Sequence, residues 1–153
     1  MSTAPLKTRI ADAVKDAMRA KAADRLGTLR LLQAAIKQKE VDDRRELSDA
    51  EVTAIIEKQV KQRRESIAAF EQAGRADTAA REQAELAVLQ EFLPEAATVQ
   101  EIEAAIAAAV AEATAQGLAG GQAMGKVMGL VKQALAGRAD MTEVSRLVKA
   151  KLG

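Results

Sequence analysis

Proline occurs only twice in the 153 residues, at positions 5 and 94. Proline lacks a backbone N–H and its ring clashes with the preceding helical turn, so a chain almost free of it leaves long helices uninterrupted. The residues that fill the intervals are alanine, leucine, glutamate, lysine, arginine and glutamine, all of which enter helices at low cost. Sheets favour β-branched and aromatic residues. These are sparse, and Phe70 and Phe92 are the only aromatics. The expectation is an all-α chain.

Apolar spacing and capping signals predict seven helices. The first runs from Pro5 to about Lys21, with Leu6, Ile10, Ala13, Val14, Ala17 and Met18 on one face. Asp24 is the expected cap of the second, whose stripe is Leu26, Leu29, Leu32 and Ile36, and polar Val41 to Leu47 is read as a loop. Ser48 and Glu51 have capping-box spacing and open a third helix, buried through Val52, Ile55, Ile56, Val60, Ile67 and Phe70 and stopped at Gly74. The fourth starts at Asp77 or Thr78 and buries Leu86, Leu89, Phe92 and Leu93 before Pro94. Thr98 and Glu101 repeat the box for a fifth helix, lined by Ile102, Ile106, Ala109, Val110 and Ala113. The sixth carries Met124, Val127, Met128, Val131 and Leu135. After a tight turn at Gly137, Asp140 and Glu143 open the seventh, with Val144, Leu147, Val148 and Leu152 inward.

The stretch from Pro94 to Thr98 is the natural boundary. It separates an N-terminal bundle of about four helices, residues 1–94, from a three-helix domain, residues 95–153. Short loops between the first and second and between the third and fourth helices favour antiparallel neighbours.

Cysteine and histidine are both absent. Disulfides, thiolate zinc sites and cysteine nucleophiles are thereby excluded, and so are the commonest general base and metal ligand. No metal and no cofactor is expected. No run approaches the roughly 18 apolar residues of a membrane span, and the stretch MSTAPLKTRIADAV has no apolar core of signal-peptide type. A cytoplasmic protein without a membrane partner is expected. Three remaining constellations have bland readings. Ser145 and Lys149 share a helical face but read as exposed surface, Glu82 and Glu85 as solvated carboxylates rather than a magnesium site, and Gly117 to Gly121 as an interhelix turn rather than a phosphate cradle, since the strand and Gly-Lys-Ser/Thr ending are missing.

The net charge of +1 conceals segregation: residues 1–64 carry 15 basic and 10 acidic groups, residues 65–117 carry 2 and 10, and residues 118–153 carry 6 and 2. Basic ends around an acidic middle suit a polyanion, and equally suit two helical units that attract each other or wet faces. Lys37 belongs to the second helix. Lys58, Lys61, Arg63 and Arg64 cluster on the third. Lys126, Lys132, Arg138, Arg146 and Lys149 decorate the end of the chain. With no tyrosine, tryptophan or histidine to stack on splayed bases, any RNA contact is expected to run through phosphates and shape.

Four ordered blocks resemble the signature of the YqeY-like family: Leu29 to Glu40, Lys61 to Ser66, Glu85 to Pro94, and Met124 to Gly129 followed by Gly137-Arg138-Ala139-Asp140, Val144 and Val148. Phe92 stands where a tyrosine is common, which removes a hydroxyl but keeps the packing. The resemblance extends to the helical tail region of the GatB subunit of the aspartyl/glutamyl-tRNA amidotransferase, which engages the body of the tRNA. It implies a small bacterial protein tied to carbon–nitrogen ligase chemistry with glutamine as amide donor. The catalytic parts of that enzyme have no counterpart here, so no catalytic residue is assigned. The expected partner is tRNA, together with a protein partner in tRNA-dependent amidation. The alternative is a helical protein-interaction module that binds no RNA, with the acidic, alanine-rich middle as its docking surface. The candidate RNA-binding residues are Lys126, Lys132, Arg138, Arg146, Lys149, Arg63, Arg64 and Lys37. Gly125 and Gly129 are expected to allow close helix approach or backbone access, and Gly137 to supply a positive φ.

Overall fold

The computed structural model describes residues 5–152, and every described element is α-helical. The helices are α1 (Leu6–Arg19), α2 (Ala23–Asp43), α3 (Asp49–Gln72), α4 (Ala76–Gln90), α5 (Val99–Ala115), α6 (Gly120–Leu135) and α7 (Met141–Leu152). The chain divides after Pro94 into two compact units.

In the first unit α1 pairs with α2, and α3 with α4. The interior is aliphatic: Leu29, Leu32, Val52, Ile56 and Leu89 are wholly inaccessible. Each such side chain contributes roughly 1.5–3 kcal/mol relative to leaving it in water. In the second unit α5 packs chiefly on α6, and Val127, Val131, Val144 and Val148 are fully buried against Ile106, Ala109 and Ala113. The alanines of α5 keep its axis close to its neighbours. Leu152, expected inward, is 36% exposed at the chain end. Phe70, Leu93, Val110, Met124 and Met128 are half-buried rather than central.

Several boundaries differ from expectation, each for a local reason. α1 ends at Arg19 because Lys21 takes a left-handed conformation (φ 54) and the Ala22 N–H returns to the Ala17 carbonyl at 2.9 Å, closing the helix without glycine. α2 then begins one residue before Asp24, capped by no side chain, and Asp24 sits instead in the first turn, where its charge suits the helix dipole. α2 also continues through Asp43, past the expected start of the loop. Gln38 to Asp42 (2.9 Å) and Lys39 to Asp43 (3.3 Å) hold its last turn, and left-handed Arg44 (φ 55) ends it. α4 starts at Ala76, with Arg75 rather than an aspartate or threonine before it.

Ser48 and Glu51 form the full reciprocal box at the start of α3. Thr98 accepts the Glu101 N–H at 3.1 Å, but the Glu101 carboxylate goes to Arg138 instead of returning. Asp140 accepts the Thr142 N–H at 2.9 Å, while Glu143 pairs with Arg146. α1 borrows its cap from far along the chain, since the Leu6 N–H donates to Asp49 Oδ1 at 3.0 Å. At the other end of the unit three tightened turn bonds close residues 91–93 ahead of Pro94.

Candidate nucleic-acid interface

In the second unit the core face of α6 is Ala123, Val127, Val131 and Leu135. Its outer face holds Gly121, Gly125 and Gly129, one helical turn apart and all exposed. A Cβ added to any of the three would meet nothing within 4 Å. These glycines therefore serve no close helix approach among the described residues. A glycine in the middle of a helix is disfavoured by about 0.5–1 kcal/mol relative to alanine, so Gly125 and Gly129, inside α6, carry a cost that no packing contact among the described residues offsets. Half-buried Lys126 and exposed Lys132 border this face on either side, and neither has an acidic partner among the described residues. The outer face of α6 thus carries three glycines beside exposed Gln122 and Gln133, with an available ammonium group on either side.

The other basic candidates divide sharply. Arg138 is a tie within the unit: Nε donates to the Glu95 carbonyl at 3.0 Å, its guanidinium pairs with Glu101, and its own carbonyl accepts the Ala97 N–H at 2.7 Å. It anchors the lead into α5 on the α6–α7 turn, where buried Gly137 takes φ +74. Arg146 pairs with Glu143 three residues earlier, which raises the arginine's pKa and lowers the glutamate's through their shared hydrogen bonds. That pair is exposed and of small net worth. Lys149 on α7 is exposed and has no acidic partner among the described residues.

In the first unit Arg63 is consumed internally. Its Nη1 donates to Glu82 at 3.0 Å and also to Glu85, and its side chain is only 18% exposed. The two carboxylates read from the sequence as solvated are in fact the counterions that close α4 on α3. No group of three or more acidic side chains able to hold a metal occurs among the described residues. Arg64 and Lys37 are exposed without such partners, each on the first unit. Ser145 and Lys149 share no hydrogen bond among the described residues. No sequence pattern marks Lys7, Arg25 and Arg45 as structural residues, yet each ties separate stretches together. Lys7 reaches Glu40 at 2.6 Å, Arg25 reaches Glu91 at 3.0 Å, and Arg45 reaches Glu51 at 2.7 Å. Their partners lie 33, 66 and 6 residues away, and only the last separation is short enough to notice in a sequence.

The described helices include none long and apolar enough to cross a membrane. A family model for Yqey-like protein matches residues 7–152. Among curated proteins, the chain is 38% identical over 90 residues to altered inheritance of mitochondria protein 41, mitochondrial, of Pyrenophora tritici-repentis, a match covering 59% of this chain and 50% of that protein. It is 29% identical over 83 residues to an uncharacterized protein of Schizosaccharomyces pombe, covering 54% of this chain and 68% of the other. The aligned stretch thus spans half the length of the first relative and about two thirds of the second. Both are fungal, so the likeness is not confined to the bacterial setting expected above.

Proposed function

Since the chain belongs to the YqeY-like family, we propose that it is a tRNA-binding accessory protein whose second unit grips a structured RNA and which leaves amide transfer to other subunits. The observation that carries this reading is the outer face of α6, three solvent-facing glycines bordered by unpaired Lys126 and Lys132. Glycine lets a sugar-phosphate strand lie against helix backbone, and the lysines supply charge without base readout. Lys149 adds a cation on α7, whereas Arg138 and Arg146 are taken up by their own carboxylate partners. Arg63 serves the fold and not the RNA. Arg64 and Lys37 stand on the other unit and contribute only general attraction. The likeness to the GatB tail supports tRNA as the RNA and a carbon–nitrogen ligase using glutamine as the setting, with this chain as a non-catalytic component. A cytoplasmic location suits that role, and the name of the fungal relative adds the mitochondrion.

Binding of this kind weakens steeply with salt, because phosphate contacts release counterions. The experiment is filter retention of unmodified tRNA across a salt series. Lys126→Ala with Lys132→Ala should reduce the salt slope by about one per lysine and weaken binding across tRNA sequences alike. Absence of tRNA retention by the unaltered chain at low salt defeats the reading. The second reading, a protein-interaction module, is favoured by the outer face of α5, where Glu103, Ala104, Ala107, Ala108 and Ala111 are exposed and no cation occurs on the helix. A stoichiometric protein partner that survives nuclease treatment and docks on α5 would support it.

A further inference from the structure

α1 and α2 of the first unit run antiparallel, with Lys7 on Glu40 at one end and the Arg30 guanidinium 3.7 Å from the Met18 sulfur at the other. Between them lies an open groove of about 510 Å³ with an apolar floor formed by Ile10, Ala11, Ala34 and Ile36. Lys7 and Glu40 neutralise each other. The net charge of the groove therefore comes from Arg30 and Lys37, both lining it and both exposed; Arg30 forms no ion pair among the described residues, and Lys37 only adds to the field on Glu40, whose contact ion pair is with Lys7. Seven residues apart on α2, Arg30 and Lys37 stand two turns, or about 10 Å, from each other along the helix. One of the large apolar side chains left in water stands at the same seam: Met18, against Arg30, is 49% exposed. Nothing in the packing of the unit explains an apolar trough bordered by Arg30, Lys37 and an exposed methionine.

We propose that this groove docks an acidic amphipathic helix of a partner protein. Its apolar stripe would lie on Ala11 and Ala34, and two carboxylates two turns apart would meet Arg30 and Lys37. Helix-in-groove binding reads anchors at this spacing, and the lining stretch of α2 from Arg30 to Glu40 offers about 15 Å of trough, enough for roughly three turns. RNA fits the same place poorly. A phosphodiester gains nothing from an aliphatic floor, and the groove has no aromatic ring for a base to stack on. A small anionic amphiphile fits poorly as well, because pockets for such ligands enclose most of the ligand surface and this trough is open along its length. The inference is independent of RNA binding by the second unit and reassigns Lys37 from RNA to a protein partner.

The test uses the full chain and a fluorescein-labelled helical peptide of about 18 residues, with leucines at i, i+3, i+4 and i+7 flanked by glutamates, followed by fluorescence anisotropy. Saturable binding is expected. The double variant Arg30→Glu with Lys37→Glu should weaken it about tenfold or more, as should Ala34→Trp, which fills the trough. Arg64→Glu on α3 should leave it unchanged. Circular dichroism establishes that each variant keeps its helices, and tRNA retention by the double variant separates this site from the α6 face. The proposal is overturned if the acidic peptide shows no saturable binding, if a matched peptide with lysines in place of glutamates binds as well, or if an RNA hairpin displaces the peptide.

Discussion

Arg63 in the first unit and Lys126 in the second are both half-buried cations on helices, and their circumstances are opposite. Arg63 is held by Glu82 and Glu85, whereas Lys126 has no acidic neighbour among the described residues. The pattern extends across the units. In the first, Lys7, Arg25, Arg45 and Arg63 all close on carboxylates of other elements. In the second, Arg138 on Glu101 is the one such tie among the described residues. Residues 118–153 contain just two acidic groups, Asp140 and Glu143. The first caps α7 and the second pairs locally with Arg146. The lysines of α6 and α7 are left over by this scarcity. A cation is available to a partner only after the fold has had its claim, so a basic sequence segment and a basic surface are different quantities.

The largest test of the contrast concerns the cores. Leu32→Ala empties a fully buried site in α2 and should destabilise the first unit by about 2–5 kcal/mol. Hydrogen exchange should show protection falling in α2–α4 and holding in α5–α7. Equal losses in both would mean that the two clusters unfold as one and would break the comparison. Next, Arg63→Ala strands two carboxylates that are each about three-quarters buried. We expect a loss of roughly 1–3 kcal/mol in denaturant unfolding, while Lys126→Ala should change stability by less than about 0.5 kcal/mol. If Arg63→Ala proves as silent as Lys126→Ala, the division between structural and available cations fails.

The glycines sharpen the contrast in the other direction. Gly125→Ala and Gly129→Ala should each raise stability by about 0.5–1 kcal/mol, because space for the methyl is open. The same changes should weaken tRNA retention, and a gain in stability with binding intact would strip these positions of a functional role. The smallest effect is with pH. The Arg45 guanidinium, joined by the Ser48 backbone N–H, pulls the Glu51 carboxyl down to about 2 from its ordinary 4.5. A group lowered in the folded state contributes fully above the ordinary value, and its contribution is lost as pH falls from there toward about 2. Amide protection at the start of α3 should therefore hold from neutral pH to about 5 and then decline. Glu51→Gln should flatten that decline.

Wherever one local rule governed, the residues were enough. Ser48 and Glu51 announce their own helix start, and Val127, Val131, Val144 and Val148 announce a buried seam. Helix ends were harder. Lys21 and Arg44 adopt left-handed backbone that glycine is expected to take, and nothing in their side chains signals it. The candidate site was legible as a list of cations and glycines but not as a surface. Arg138 and Lys132 look alike in a sequence, and only one of them reaches back 37 residues to a glutamate.

Composition and periodicity by themselves determined that this chain is helical, that it lacks the side chains for thiol or histidine chemistry, and where its apolar stripes run. Those properties depend on neighbours within a turn or two. Tertiary structure alone decided which charges are neutralised, which glycines face water and where a groove stays unfilled. Such properties depend on distances between residues tens of positions apart, and these exist only once the helices have packed.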